Sequence, residues 1–307
     1  MEFSNYLSQL KDPSAKLSVT GLQQLDALEP EQGESLRHAW PEIDLERRRQ
    51  VVRQLADLTE DNVDLNFDAV FFTALNDEDA HLRGDAIRGL WEYEGRDLIG
   101  PLLGLLERDE EPDVRAKAAL ALGRFVLLFA FGQLRESHFR KVEQGLRGAL
   151  EDELEVDEVR ARALEAIGAC GQPWVSEAIQ QAYESEAPRL KIGALHAMGR
   201  SCEPRWQPLL IDELSSDDPE LRYEAAIALG PVADRGAVPH LAPLLDDPDL
   251  EVREAAIAAL GQIGGSEAKR LLRPLLRDSS PSVQEAAAAA VAEAAFAEDP
   301  LSAEYRL

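Results

Sequence analysis

The 307 residues carry 32 Lys and Arg against 58 Asp and Glu, a formal net charge of -26. So acidic a chain is poorly suited to a nucleic-acid backbone or an anionic membrane surface, both of which are gripped by clustered basic side chains. Apolar residues make up 45%, enough for a core, but no run reaches the roughly 18 consecutive apolar residues of a membrane-crossing helix.

Met1-Glu2-Phe3-Ser4-Asn5 lacks the basic region and apolar stretch of a signal peptide, so no secretory leader is expected. Two cysteines, Cys170 and Cys202, cannot make a disulfide framework or a four-ligand zinc site. The expected compartment is the cytoplasm. Residues 1–76 show degenerate helical periodicity. A helix pair reads from Asp44 to Leu58 and from Asp64 to Leu75, and Ala15 to Leu28 begins another. This segment is expected to cap a repeat array, since a terminal repeat lacks a neighbour on one side.

From residue 77 the chain repeats. An apolar residue, usually followed by a base, recurs as Leu82-Arg83, Val114-Arg115, Val159-Arg160, Leu190-Lys191, Leu221-Arg222, Val252-Arg253 and Val283-Gln284, with spacings of 32, 45, 31, 31, 31 and 31. Four residues after each anchor stands alanine: Ala86, Ala118, Ala163, Ala194, Ala225, Ala256 and Ala287. Eight residues after it the side chain is apolar, from Leu90 to Val291. These offsets form one stripe on a helix. Nine residues after it, five units carry glycine (Gly123, Gly168, Gly199, Gly230, Gly261), which permits close helix approach. The first unit has Trp91 there, so Trp91 is expected to face outward or to mark a changed helix crossing.

Each unit continues into a second apolar run, such as Ala237 to Leu245 or Ala268 to Leu276. Gly261-Gln262-Ile263-Gly264-Gly265 stops one helix before the next. Asp218-Pro219 and Ser280-Pro281 read as an N-cap followed by proline at the first helical position. Nothing alternates like a strand. The pattern predicts an all-α solenoid of stacked helix hairpins with a period of about 31 residues. The cap at 1–76 and the repeats at 77–298 are expected to form one continuous solenoid domain, with a polar tail at 299–307. The unit at Val114 is longer by about 13 residues, an insertion near 125–137. Its Phe125, Phe129 and Phe131, with Phe139, are either a plug in the core or an exposed apolar patch.

The run Asp249-Leu250-Glu251-Val252-Arg253-Glu254-Ala255-Ala256-Ile257-Ala258-Ala259-Leu260-Gly261 resembles HEAT-like repeats of the phycobilisome-lyase type. The resemblance implies a right-handed superhelix whose second helices line the concave side. Corresponding second-helix positions vary from unit to unit over constant stacking positions. On that ground a non-catalytic scaffold is expected to hold a partner protein or peptide with Ile99, Leu103, Gln180, Gln207, Ile211, Val238, Lys269, Arg270 and Arg273. The resemblance also leaves open a bilin lyase or isomerase-like subunit. The charge leaves open a module that binds a basic partner.

Other constellations carry less. No histidine is followed by glutamate, so no His-Glu metal pair exists, and no cofactor is called for. His81 and Asp85 read as a surface pair, and the cysteines as small half-buried residues. The column Arg83, Arg115, Arg160, Lys191, Arg222 and Arg253 is either a ligand track or a ladder of ion pairs, with Asp79, Glu111, Asp218 and Asp249 as candidate partners. Trp174 and Trp206 are wedges between helices or contact residues. The hairpin begun at Val283 lacks its second helix, which exposes Ala286 to Ala290, Val291 and Phe296. The chain is therefore expected as a monomer or a weak homo-oligomer through that end.

Overall fold

The computed structural model describes residues 3–62 and 64–298. The expected tail at 299–307 lies outside the described residues. Among those described there are eighteen α-helices and no strand. Three helices come first: α1 (Phe3–Lys11), the short α2 (Val19–Leu22) and α3 (Pro30–Ala39). Seven hairpins come next. They are α4 (Leu45–Asp61) with α5 (Asp68–Ala74), α6 (Ala80–Gly89) with α7 (Ile99–Arg108), α8 (Pro112–Ala130) with α9 (Glu136–Glu151), and α10 (Asp157–Ile167) with α11 (Pro173–Tyr183). The last three are α12 (Pro188–Ser201) with α13 (Gln207–Glu213), α14 (Pro219–Val232) with α15 (Val238–Leu241), and α16 (Leu250–Ile263) with α17 (Gly265–Leu275). Helix α18 (Pro281–Glu298) has no second helix after it among the described residues. The chain is an α-solenoid of helix hairpins.

Two compact units divide it. One comprises residues up to Phe125 together with 134–149, the other 126–133 and everything from Leu150 onward.

The repeat columns form the core. All seven alanines four residues past the anchors are fully buried, and the apolar column from Leu90 to Leu260 is at most 1% exposed. Only Val291, at the unfinished end, is half-buried. Aspartates start the first helices: Asp79 accepts from the Leu82 amide, Asp218 from that of Glu220 and Asp249 from that of Glu251. These three were expected as partners of the arginine column; they serve as caps, and Asp79 also pairs with Arg49 of α4 at 2.5 Å. Arg83 pairs with Asp109 through two bonds of 2.6 Å, and Arg222 with Asp247 at 2.8 and 2.9 Å. The same guanidinia donate to the carbonyls of Asp77 and Glu78, and of Ser216 and Asp217. Arg83 and Arg222 thus tie α6 and α14 to the turn before each helix and to the turn after its hairpin.

In the second unit the first helices α10, α12, α14, α16 and α18 pack side by side at backbone distance. A Cβ on Gly168 would stand 2.9 Å from Ala197 Cα, one on Gly199 2.9 Å from Ala228 Cα, and one on Gly261 2.8 Å from Ala290 Cα. The second helices make no comparable contact with one another; α11, α13, α15 and α17 each sit against the first helix that follows. Glycine and alanine hold one layer tight, while leucine, tryptophan and proline space the other. Within this unit the more closely packed layer is that of the first helices.

Three further expectations change or are met. The insertion lengthens both α8 and α9 rather than adding a loop. Phe125 and Phe139 are core, Phe129 is half-buried and Phe131 is 75% exposed, so Phe125 is no part of an accessory patch. In the N-terminal segment, Ala15 to Leu28 yields only α2 and a 3-10 turn, while α1 and α3 carry no signal in the repeat pattern. Trp91 faces outward, 46% exposed, as its departure from glycine implied. No helix among the described residues is long and apolar enough to cross a membrane.

Candidate functional site

The second-helix candidates do not form one solvated face. Ile99 and Val238 are core residues, 3% and 1% exposed. The 3-10 turns Arg96–Leu98 and Arg235–Ala237 lead into their helices, and the tighter winding directs the first helical side chain inward. Leu103 and Ile211 are half-buried. Gln207 is occupied by Asp234: its side-chain oxygen accepts from the Asp234 amide at 3.1 Å. Gln180 donates to Glu184 at 2.5 Å. Lys269 is half-buried, Arg270 lies 3.4 Å from Glu267, and Arg273 is exposed. Trp206 is a wedge, 3% exposed, its indole donating to Ser201 Oγ at 3.1 Å; Trp174 is half-buried. Cys170 is half-buried, but Cys202 is exposed, against the expectation for both.

The first-helix layer of the second unit presents a different surface. Between its buried columns lie positions that vary from helix to helix. One residue before the anchors stand Glu158, Arg189 and Glu220 on α10, α12 and α14. Arg189 donates to Glu158 at 2.6 Å and to Glu220 at 2.9 Å, bridging three repeats. Arg162 holds Glu158 at 2.9 Å and Glu165 at 2.7 Å. One turn further, His196 sits between carboxylates of both neighbouring helices, Nε2 3.0 Å from Glu165 and Nδ1 3.3 Å from Glu224. Glu165 is only 3% exposed, so its arginine and histidine partners offset the cost of burying it.

Beyond His196 the charge network gives way to a groove of about 340 Å³ across α12, α14 and α16. His196, Arg200, Cys202, Glu224, Ile227, Pro231 and Gln262 line it. Its floor is apolar, with Ile227 36% exposed. Arg200 Nε is buried without a hydrogen-bond partner. Burial pulls this guanidinium below its usual pKa, against the charge of Glu165. On the α14 side Tyr223 faces acids: burial first, then Glu224, Glu251 and Glu254, push its phenol up.

A guanidinium lacking an acceptor beside an apolar floor is suited to binding. It does not amount to a nucleophile with its base. No group of three or more His, Cys, Asp or Glu side chains among the described residues is placed to hold a metal ion. His81, expected in a surface pair with Asp85, is exposed and lies 4.0 Å from Asp79. The repeat register did contain a signal for the groove. Six residues past successive anchors stand Glu165, His196 and Ile227, and ten past them Ala169, Arg200 and Pro231.

Residues 69–133 and 207–292 match the HEAT repeats family. Those two stretches are HEAT repeats. The groove's α14 and α16 walls fall inside the second matched segment. No curated protein matches the chain. Among solved structures, the complex of CpcE and CpcF of phycocyanin lyase from Nostoc sp. PCC7120 is 22% identical. That match covers 80% of this chain and 93% of the other, with a TM-score of 0.55. Human deoxyhypusine hydroxylase in complex with glycerol is 19% identical over 87% of this chain and 96% of its own, with a TM-score of 0.38. At such identities the likeness to the lyase complex speaks for the fold.

Proposed function

We propose that this chain is a non-catalytic interaction scaffold of the cytoplasm that holds a partner protein or peptide on the first-helix face of its second unit. The observation that carries the reading is the groove at Arg200. Its buried donor wants an acceptor, and its apolar floor at Ile227 and Pro231 wants a side chain. A polypeptide supplies both at once, a backbone carbonyl or carboxylate beside an apolar residue. Stacked repeats suit this task because constant columns carry stability while the variable ones between them are free to differ. Affinity purification with mass spectrometry identifies the partner. Capture by Ile227→Glu and Arg200→Met proteins then tests the face. Loss in both, with melting unchanged or raised, supports the reading; full capture by both overturns it.

The likeness to the CpcE–CpcF complex favours a second reading, a bilin lyase-like subunit. An absorbance titration with a bilin and its acceptor protein tests it: a shifted band in the presence of the chain supports it, and an unchanged spectrum dismisses it.

A further inference from the structure

The loop between α6 and α7 breaks the repeat rule that puts glycine nine residues past the anchor, and it does so with an exposed tryptophan. Behind Trp91 lies a cavity of about 300 Å³, lined by Asp68, Glu92, Tyr93 and Glu94 among others. None of its described lining residues is basic.

The loop is held firmly. Arg124 on α8 donates to the carbonyls of Leu90 and Tyr93, and burial pulls this guanidinium down to about 10. The Tyr93 ring stands edge-on to Phe72 at 5.2 Å between centroids, and its hydroxyl is 3.0 Å from both carboxylate oxygens of Asp97. Trp91 is thus displayed from a fixed backbone, at low entropic cost to a ligand.

Asp68 supplies the charge. Its carboxyl is half-buried; burial pushes its pKa up, Asn66 opposes this, and the charge of Asp97 adds to it. No described basic side chain pairs with it. Arg88 of α6 is engaged by Asp57 and Glu60 at 2.9 and 3.0 Å, and Arg124 by the loop carbonyls.

We propose that the cavity beside Trp91 receives the cationic side chain of an arginine or lysine on a partner polypeptide. The inference rests on reading the chain as a protein-binding scaffold, but it concerns the other unit and a different chemistry. An indole face attracts a cation, best a planar guanidinium that can stack on it. A carboxylate that has lost part of its water gains from a counter-charge. Glu92 and Glu94 at the rim raise the local concentration of cations. An indole and a phenol in the lining favour an organic cation over a bare metal ion.

The experiment tracks the four tryptophan indole N–H signals of the full chain by NMR, with Trp91→Phe assigning the one of interest. The probes are N-acetyl-arginine N-methylamide, the lysine equivalent, and the uncharged citrulline isostere. The arginine probe should move the Trp91 signal saturably, the lysine probe more weakly and the citrulline probe not at all, while the other three indoles stay in place. Asp68→Asn should weaken the response by about tenfold or more. That variant removes a desolvated charge, so unchanged positions of the other indoles confirm that it folds. A flat Trp91 response, an equal response to citrulline, or an unaltered response in Asp68→Asn overturns the site. Ile227→Glu should leave this titration untouched. A flat Trp91 response with partner capture still lost in Ile227→Glu therefore overturns this site alone.

Discussion

Gly199→Ala sets helix propensity against backbone packing. In a helix interior, replacing glycine by alanine ordinarily stabilises by about 1 kcal/mol. Here the new Cβ would stand 2.9 Å from Ala228 Cα and 3.1 Å from Ala228 Cβ. The obstacle is backbone, so no rotamer change relieves it, and α12 and α14 must move apart. Overpacking of this kind costs roughly 1–3 kcal/mol, and the displacement extends to the buried columns on both sides. The net expectation is no gain and a loss of up to about 2 kcal/mol. Gly148→Ala on α9 is the control. Nothing lies within 4 Å of a Cβ there, so that variant should gain about 0.5–1 kcal/mol. Urea unfolding followed by circular dichroism reads both. The signs are the test: a Gly199→Ala protein as stabilised as Gly148→Ala would refute the backbone-distance packing of the first helices.

The buried and paired charges carry further expectations. Asp247→Asn should cost about 1–3 kcal/mol at neutral pH, since Arg222 loses its two-bond partner. The Arg222 hydrogen bond holds the Asp247 carboxyl below the usual carboxylate range. Its contribution is therefore complete above the unfolded pKa and is lost as pH falls through the folded one. The gap in urea midpoint between wild type and variant should shrink from about pH 5 toward pH 2, and a constant gap would contradict this. Arg200→Met removes an unpartnered, desolvated guanidinium from an apolar groove, and should leave melting unchanged or raise stability by up to about 2 kcal/mol. A clear drop in melting temperature would show that Arg200 is structural. Arg124→Met leaves two loop carbonyls without their donor and should destabilise by about 1–3 kcal/mol while shifting Trp91 emission. Unchanged emission would mean that the loop holds itself.

The repeat is written plainly in the chain. Offsets of four and eight from each anchor name the core, and Trp91 stands out by breaking the glycine column. The tight layer has a signal too, because alanine and glycine crowd the first helices. Variation at solvated positions occurs in both layers, however, and variation alone does not say which one carries a groove. The groove is harder to read. His196 reaches Glu165 and Glu224 across 31 and 28 residues, so their meeting depends on the lateral register of three repeats, which no single unit encodes. The partners of the arginine ladder escape a sequence reading for a similar reason. The acids nearest in sequence are already used as helix caps, and Asp109 and Asp247 arrive from the far end of each hairpin.

Partner capture by matched surface variants, once the partner is purified, decides which helix layer does the binding. Ile227→Glu puts a charge on the floor of the first-helix groove; Arg270→Glu with Arg273→Glu reverses charge on the exposed second helix α17. The first should abolish capture while the pair leaves it intact, with helicity the same in all three proteins. Capture that survives Ile227→Glu and is lost with the α17 pair would place the partner on the second-helix layer and contradict the assignment to the first.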